Sequence, residues 1–206
     1  MTQILLVRHG QTDWNLEERF RGRFDVPLNE AGRHQAQATG QWIASRWNVS
    51  AIYASPLSRA VQTAEAIARW FSLPVTAYPG LIDLDFGDWQ GKTPDEVRAT
   101  WPQIYRAWLE NPQSVRIPGG ETIDELRSRA LKAVQELVAR HSKETIVLVA
   151  HTDVNRALIL EILGLPTNQI WRLRQDNCAI NVIQAAGNQF VLVSMNETGH
   201  LAFMAG

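Results

Sequence analysis

Two apolar, β-branched runs of this chain end abruptly in histidine, and this repeated pattern constrains the fold more than any other feature. Residues 4–7 (ILLV) are followed by Arg8 and His9, and residues 145–150 (TIVLVA) are followed by His151. Short apolar runs with polar ends are typical of strands covered on both faces of an α/β sheet. Such sheets bind ligands at the carboxyl ends of their strands. We therefore expect His9 and His151 to share one substrate site.

Helical and strand patterns alternate along the rest of the chain. Helical patterns cover residues of about 29–47, 57–71 and 123–140 and a further stretch from 153, and strand patterns cover 51–54, 74–78, 179–184 and 189–195. This alternation predicts a three-layer α/β/α sandwich with a mostly parallel central sheet and a hairpin at its edge. A length of 206 residues favours a single domain, 1–206, with a helical insertion at about 93–118 that walls the pocket.

Composition excludes several classes of function. Lys and Arg number 20 against 21 acidic residues, so no strong net charge favours nucleic acid or a membrane surface. The single cysteine, Cys178, has no partner for an internal disulfide and is interpreted as a small buried residue. With no membrane-length apolar run, no basic leader and no metal-ligand spacing in the sequence, we expect a soluble cytoplasmic protein without a metal or cofactor.

Two arginines are predicted to join the histidines. Arg8 directly precedes His9, and Arg59 lies in the first helical turn after the strand-like residues 51–54. A helix dipole disfavours a cation in that first turn, which favours an anion-binding role for Arg59. Two guanidinium groups and two imidazoles that converge at strand ends suit a phosphoryl group.

Five motifs resemble those of the histidine phosphatase superfamily, the phosphoglycerate-mutase-like proteins. They are residues 6–12 (LVRHGQT) with Asn15, 53–60 (YASPLSRA), 86–91 (FGDWQG), 119–121 (GGE) and 149–151 (VAH). The motifs occur in the family's order and cover nearly the whole chain. The resemblance implies a phosphoglycerate mutase-like fold, with His9 as a nucleophile that forms a phosphohistidine and with Arg8, Arg59 and His151 around the phosphoryl group.

The resemblance also implies a set of substrate-binding residues. Asn15 stands at the family's phosphate-ligand position, and the polar loop 16–28 corresponds to one that closes over the phosphate. Arg21 and Gly22 lie in that loop, where many members have a different polar residue in place of Arg21. Thr152, which follows the second histidine, completes the expected set.

The proton donor is the position where the sequence departs from the family. Asp83 stands where members usually have Glu. Its side chain is shorter by about one carbon–carbon bond, roughly 1.5 Å, which matters for proton transfer. Asp85 and Asp153 are the rival donors, since a distant branch places its acid directly after the second histidine, although Thr152 intervenes here.

The leading interpretation is a metal-independent phosphatase acting on a small phosphomonoester, with phosphoglycerate mutase or a non-catalytic phospholigand-binding module as alternatives. Residues 150–152, 175–179 and 196–201 are similar to those of metal-independent phosphoserine phosphatases, which implies that His200 binds a carboxylate. Phe86 argues against phosphoserine, because those enzymes commonly have His there, and α-ribazole phosphate and sugar phosphates stay open. The expected partner is a small phosphorylated metabolite, and a homodimer also stays open.

Overall fold

Six strands form one mixed sheet in the computed structural model, which describes residues 1–204. The strands are β1 (Thr2–Arg8), β2 (Val49–Ala54), β3 (Val75–Ala77), β4 (Thr145–Ala150), β5 (Ile180–Ala186) and β6 (Gln189–Glu197). Their order is β3-β2-β4-β1-β5-β6. The first four in that order run parallel. At the other edge β5 is antiparallel to β1, and β6 is antiparallel to β5, so these two strands form a hairpin. The predicted mostly parallel sheet with an edge hairpin is therefore confirmed.

Helices connect these strands and cover both faces of the sheet. The α-helices are α1 (Asp13–Leu16), α2 (Glu30–Ala44), α3 (Ser58–Ala68), α4 (Pro94–Thr100), α5 (Pro102–Glu110), α6 (Ile123–Arg140) and α7 (Thr152–Ile162). Short 3-10 helices occupy Pro79–Leu81, Gly87–Trp89, Pro112–Ser114, Thr167–Arg172 and Gly199–Met204. None of the helices in residues 1–204 is long and apolar enough to cross a membrane.

Successive side chains of β1 pack into two different hydrophobic cores, one on each face of the sheet, which gives the fold its three layers. Leu5 and Val7 pack in a cluster with Ile43 of α2 and Ile67 of α3. Their neighbours Ile4 and Leu6 belong to a second cluster, which contains the apolar stripes of α6 and α7. Successive side chains of a strand point to opposite faces, so each central strand contributes to both cores. The predicted α/β/α sandwich is thereby confirmed.

The register of the central strands places the two histidine motifs side by side. Arg8 of β1 is the pairing partner of Ala150 of β4, and both strands end there. The main-chain N–H of His9 donates to the carbonyl of Ala150 at 3.0 Å. His9 and His151 therefore leave the sheet together at its carboxyl edge.

Candidate active site

The two histidines are fully buried and face each other. Their ring centroids lie 5.2 Å apart with the planes inclined by 58°. Both side chains have 0% of their surface exposed. The sequence prediction that the two strand ends deliver both imidazoles to one place is matched by this geometry.

Local contacts define the orientation of His9. Its Nδ1 lies 2.6 Å from the carbonyl oxygen of Gly10, so this nitrogen carries the proton and donates it. The Nε2 of the neutral ring therefore has a free lone pair, and this atom has no hydrogen-bond partner among the described residues. Burial, followed by the positive charge of Arg59, holds the pKa of His9 well below its usual 6.5. The ring is thus neutral and nucleophilic near neutral pH.

Glycine is required next to this histidine. A Cβ on Gly10 would lie 2.5 Å from the carbonyl oxygen of Gly32 in α2, which is too close for any side chain. The Gly10 N–H also donates to Thr63 Oγ1 at 3.0 Å. The main chain after β1 is therefore packed against α2 and α3, and this packing fixes His9.

His151 is held from the opposite side by Ser55, which follows the end of β2. The hydroxyl of Ser55 lies 2.7 Å from His151 Nε2. His151 Nδ1 lies 3.3 Å from Arg59 Nε and 3.5 Å from Asp83 Oδ2. Burial, followed by the charge of Arg59, lowers the pKa of His151 well below 6.5. Ser55 was not among the predicted site residues, although it follows a strand just as His9 does.

Arg59 is buried at 0% exposure and ties the loop after α1 to the site. Its Nη2 donates to the Gly22 carbonyl at 2.7 Å and to Asp83 Oδ2 at 3.1 Å, and its Nη1 donates to the Phe24 carbonyl at 2.8 Å. Of the five N–H groups of a guanidinium, one on Nη1 is left without a protein acceptor. The loop that carries Gly22 is therefore closed over Arg59.

Arg8 and Arg21 line a pocket of about 350 Å³. His9, His151 and Arg59 do not line this pocket themselves, but the chain neighbours of the two histidines, Arg8 and Thr152, do. Arg8 Nη1 donates to the Gln175 carbonyl at 2.6 Å, and Arg21 Nη1 donates to the Trp14 carbonyl at 3.2 Å. The Nε atoms of both arginines are buried without a partner. Burial, followed by the charge of Arg21, lowers the pKa of Arg8 to about 10, so it remains cationic at neutral pH.

The remaining predicted ligands divide between the pocket and other regions. Asn15, Gly22 and Thr152 line the pocket, and Thr152 Oγ1 is buried without a partner among the described residues. Asn15 Oδ1 is occupied by the N–H of Thr12 at 2.9 Å. The structure does not bring His200 to the pocket.

His200 instead packs on α2. Its Nε2 lies 3.0 Å from Thr39 Oγ1, and its ring stacks near Trp42 at a centroid distance of 5.9 Å. The chain after β6 turns back over α2 in the 3-10 helix Gly199–Met204, which explains why the tail does not reach the pocket. The expectation that His200 contacts substrate is wrong in this structure.

The three candidate proton donors have different surroundings. Asp83 lines the pocket at 5% exposure, and its Oδ1 accepts the Leu84 N–H at 2.9 Å. Asp153 also lines the pocket, and burial raises its pKa although Arg156 lies 3.3 Å away. Asp85 does not line the pocket and pairs with Arg23 at 3.1 Å. Asp83 and Asp153 are therefore the two candidates that line the pocket, whereas Asp85 is held in an ion pair with Arg23.

The pocket wall includes residues that the sequence analysis did not single out. Gln175 and Arg156 line it, and Gln175 Nε2 donates a hydrogen bond to Asn181 Oδ1 of β5 at 2.8 Å. The helical insertion contributes Pro94 and Trp108 to the lining. Among residues 1–204, no group of three or more His, Cys, Asp or Glu side chains is arranged to hold a metal ion.

Cys178 lies directly behind the site and is fully buried. Burial raises the pKa of its thiol to about 12, so the reactive thiolate is not formed at neutral pH. Its N–H donates to the carbonyl of Arg8 at 3.1 Å. The residue therefore supports the main chain of the site, in agreement with the interpretation as a small buried side chain.

Comparison with known proteins gives consistent matches over the whole chain. The family model of the histidine phosphatase superfamily (branch 1) matches residues 4–198. Phosphoserine phosphatase 1 of Hydrogenobacter thermophilus is 34% identical over 98% of this chain and 95% of its own length. A metal-independent phosphoserine phosphatase of Arabidopsis thaliana is 32% identical over 98% of this chain and 84% of its own length.

Solved structures show the same fold. YhfR of Bacillus stearothermophilus superposes with a TM-score of 0.93 at 32% identity, covering 98% of this chain and 100% of that one. A mutant phosphoserine phosphatase of Entamoeba histolytica in complex with phosphoserine superposes with a TM-score of 0.88 at 29% identity, with 98% and 100% covered. These matches confirm the resemblance that the five motifs predicted.

Proposed function

This chain belongs to the histidine phosphatase superfamily, and we propose that it hydrolyses a small phosphomonoester, without a metal, through a phosphohistidine on His9. One observation carries the proposal. Arg8 and Arg21 line the pocket, and neither has a carboxylate partner within 4.0 Å among the described residues. The other two arginines of the pocket wall, Arg19 and Arg156, are paired with Glu17 and Asp153. Arg59 is paired with Asp83.

Unpaired buried charge is costly unless a ligand supplies the opposite charge. Two guanidinium groups without a carboxylate in direct contact match the charge of a phosphomonoester dianion. Planar guanidinium groups also donate pairs of parallel hydrogen bonds to phosphate oxygens. The pocket therefore suits a phosphoryl group better than a neutral or cationic ligand.

In the proposed reaction, His9 Nε2 attacks phosphorus and the bond to the leaving oxygen breaks. The free lone pair on Nε2 follows from the Nδ1–Gly10 contact of 2.6 Å. Asp83 enters this step in its protonated form, gives its proton to the leaving oxygen and becomes a carboxylate. A water molecule then attacks phosphorus and gives a proton back to Asp83, while the P–N bond breaks, phosphate is released and His9 returns to its neutral form.

The other residues have the role of stabilising charge on the transferred phosphoryl group. Arg8, Arg21 and Arg59 supply positive charge, with Asn15, Gly22, Thr152 and His151 as additional hydrogen-bonding groups. Three of the donor groups, Arg8 Nε, Arg21 Nε and Thr152 Oγ1, are buried at this pocket without a protein partner. Donors that are already oriented cost no reorganisation during the reaction.

Phosphoserine is the first substrate to be tested. Relatives named phosphoserine phosphatase are 34% and 32% identical to this chain. A volume of about 350 Å³ accommodates a molecule of this size, and the pocket wall carries Glu18, Arg19 and Arg156 for an ammonium and a carboxylate. Phe86 also lines the pocket and offers no hydrogen bond, so contacts to the amino acid moiety must come from these charged side chains.

A phosphatase assay over a panel of phosphomonoesters, with and without a chelator, tests this proposal. We expect turnover that survives chelation, with phosphoserine among the good substrates. The variant His9→Ala is the control and should be inactive on every member of the panel. Turnover that needs added magnesium, or that persists in His9→Ala, would contradict the proposal.

A further inference from the structure

The main chain that carries Asp83 is held by Arg129, a side chain of α6 that does not line the pocket. Arg129 Nη2 donates to the carbonyl oxygen of Asp83 at 2.9 Å. Its Nη1 donates to the carbonyl oxygen of Gly80 at 3.1 Å. One guanidinium group therefore fixes two points of the segment that leads into Asp83.

Arg129 is itself oriented by Glu121. Its Nε lies 2.6 Å from Glu121 Oε1, and its Nη2 lies 2.9 Å from Oε2, which is a bidentate pair. The side chain of Glu121 is 12% exposed, so this pair is largely shielded from solvent. The guanidinium plane, and with it the direction of both donors to the Asp83 segment, is fixed by this contact.

The segment that carries Glu121 packs directly against the segment that follows Asp83. A Cβ on Gly120 would lie 2.4 Å from the carbonyl oxygen of Asp85, so only glycine allows this approach. The Glu121 N–H donates to the same carbonyl at 2.9 Å. The Gly-Gly-Glu motif, which the proposed chemistry does not use, thus acts on the acidic segment.

We propose that Arg129 and Glu121 are positioning residues that set the distance from the Asp83 carboxyl group to the leaving oxygen. This inference rests on the proposed function, in which Asp83 is the proton donor. A donor must come within about 2.6–3.2 Å of the oxygen that it protonates. Because Asp is shorter than Glu by roughly 1.5 Å, its reach is set by where the main chain is held.

The variant Arg129→Met tests the inference through its dependence on the leaving group. An alkyl phosphate such as phosphoserine needs its leaving oxygen protonated, whereas p-nitrophenolate leaves as a stable anion. We expect kcat for the alkyl phosphate to fall about 10-fold or more, within the range of general acid catalysis. The kcat for p-nitrophenyl phosphate should change by less than about 3-fold, because this leaving group needs little protonation.

Two further variants separate positioning from charge and from general stability. Arg129→Lys keeps the positive charge but loses the forked donors. That charge lowers the pKa of His151, ranking after burial and the charges of Arg59 and Arg21. We expect Arg129→Lys to share the selective loss. Arg127→Met is the matched control, since Arg127 also lies on α6, pairs with Glu161 and donates to the Leu165 carbonyl at 3.0 Å. Side-chain exposure is similar, 19% for Arg127 and 23% for Arg129.

Equal losses on both substrates in Arg129→Met, or the same selective loss in Arg127→Met, would overturn the inference. Recovery of the alkyl phosphate rate by Arg129→Lys would also overturn it, because charge alone would then suffice. These outcomes differ from failure of the proposed function, which would appear as p-nitrophenyl phosphate hydrolysis that persists in His9→Ala.

Discussion

At the scale of single residues, the environment of His9 determines the chemistry. The carbonyl oxygen of Gly10 lies 2.6 Å from His9 Nδ1 and keeps the proton on that nitrogen. Burial is the main cause of the lowered pKa that keeps the ring neutral, and the charge of Arg59 is the next. Part of this environment of His9 could be predicted from the sequence, because Arg8 and Gly10 are its chain neighbours. The contribution of Arg59 depends on the folding of α3 against the sheet.

The pH dependence of kcat/KM tests the state of His9. A neutral imidazole is the nucleophile, so on the acidic side activity falls when the pH drops through the pKa of His9, and that pKa lies well below 6.5. We expect kcat/KM for p-nitrophenyl phosphate, which needs little help from a proton donor, to stay level as the pH falls through 6.5 once it is corrected for the second ionisation of the phosphate near about pH 6. A loss centred at pH 6.5 would show that His9 is an ordinary, solvated histidine.

The choice between Asp83 and Asp153 is also decided at this scale. If Asp83 protonates the leaving oxygen, Asp83→Asn should lose about 10²–10⁴-fold on phosphoserine and far less on p-nitrophenyl phosphate. Asp153→Asn, the matched variant of the other pocket acid, should affect both substrates alike. Burial raises the pKa of Asp153, which suits a proton donor. If only Asp153→Asn shows a loss of activity that is larger on phosphoserine than on p-nitrophenyl phosphate, Asp153 is the proton donor.

At the scale of secondary structure, the loop after α1 and the start of α3 stabilise each other. Leu57 precedes α3 and offers no side-chain cap. Asp25 supplies the cap from the loop, accepting the Ser58 N–H at 2.7 Å and the Ser58 hydroxyl at 2.6 Å. The same loop presents the Gly22 and Phe24 carbonyls to Arg59. The cap of α3 and closure over the site are thus parts of one contact.

Removal of this cap should loosen both elements. We expect Asp25→Ala to lower the free energy of unfolding by about 0.5–2 kcal/mol, the usual cost of a lost N-cap, and to raise KM. Asp95→Ala is the control, since Asp95 forms only an exposed pair with Arg98 in the first turn of α4 and should cost no more than about 1 kcal/mol without a change in KM. Denaturant titration measures the effect on stability, and steady-state kinetics measure the effect on KM. An unchanged KM in Asp25→Ala would show that the α3 cap does not contribute to substrate binding.

Elements with a clear periodicity could be predicted from the sequence, whereas contacts between distant segments could not. Residues 123–140 were predicted as a helix and form α6, Ile123–Arg140, because an apolar stripe and the Thr122 cap coincide there. The two strands that end in histidine were likewise recognisable. Ser55, Gln175 and Arg129 contact site residues that lie 46 or more positions away in the chain, and such contacts leave no pattern in the sequence. His200 was misplaced because the direction of a short tail depends on packing against α2.

At the scale of the whole molecule, the unpaired charge of the pocket links ligand binding to stability. A ligand that binds only the folded state stabilises it by about 2.7 kcal/mol at 100 times its dissociation constant. For a chain of this length, each kcal/mol raises Tm by roughly 2–4 °C. We expect inorganic phosphate to raise Tm in this way, and Arg21→Gln to reduce the shift because one of the two unpaired guanidinium groups is lost. An equal shift in Arg21→Gln would show that Arg21 does not bind the anion.

The measurement that tests the central claim most directly is the trapping of the phosphorylated enzyme during turnover. The enzyme is mixed with a ³²P-labelled substrate, quenched under alkaline conditions that preserve phosphohistidine, and digested for peptide mapping. Label should appear on the peptide that contains His9, disappear on acid treatment, and be absent from His9→Ala. Label on a Ser or Asp residue, or on His151 in its place, would contradict the account.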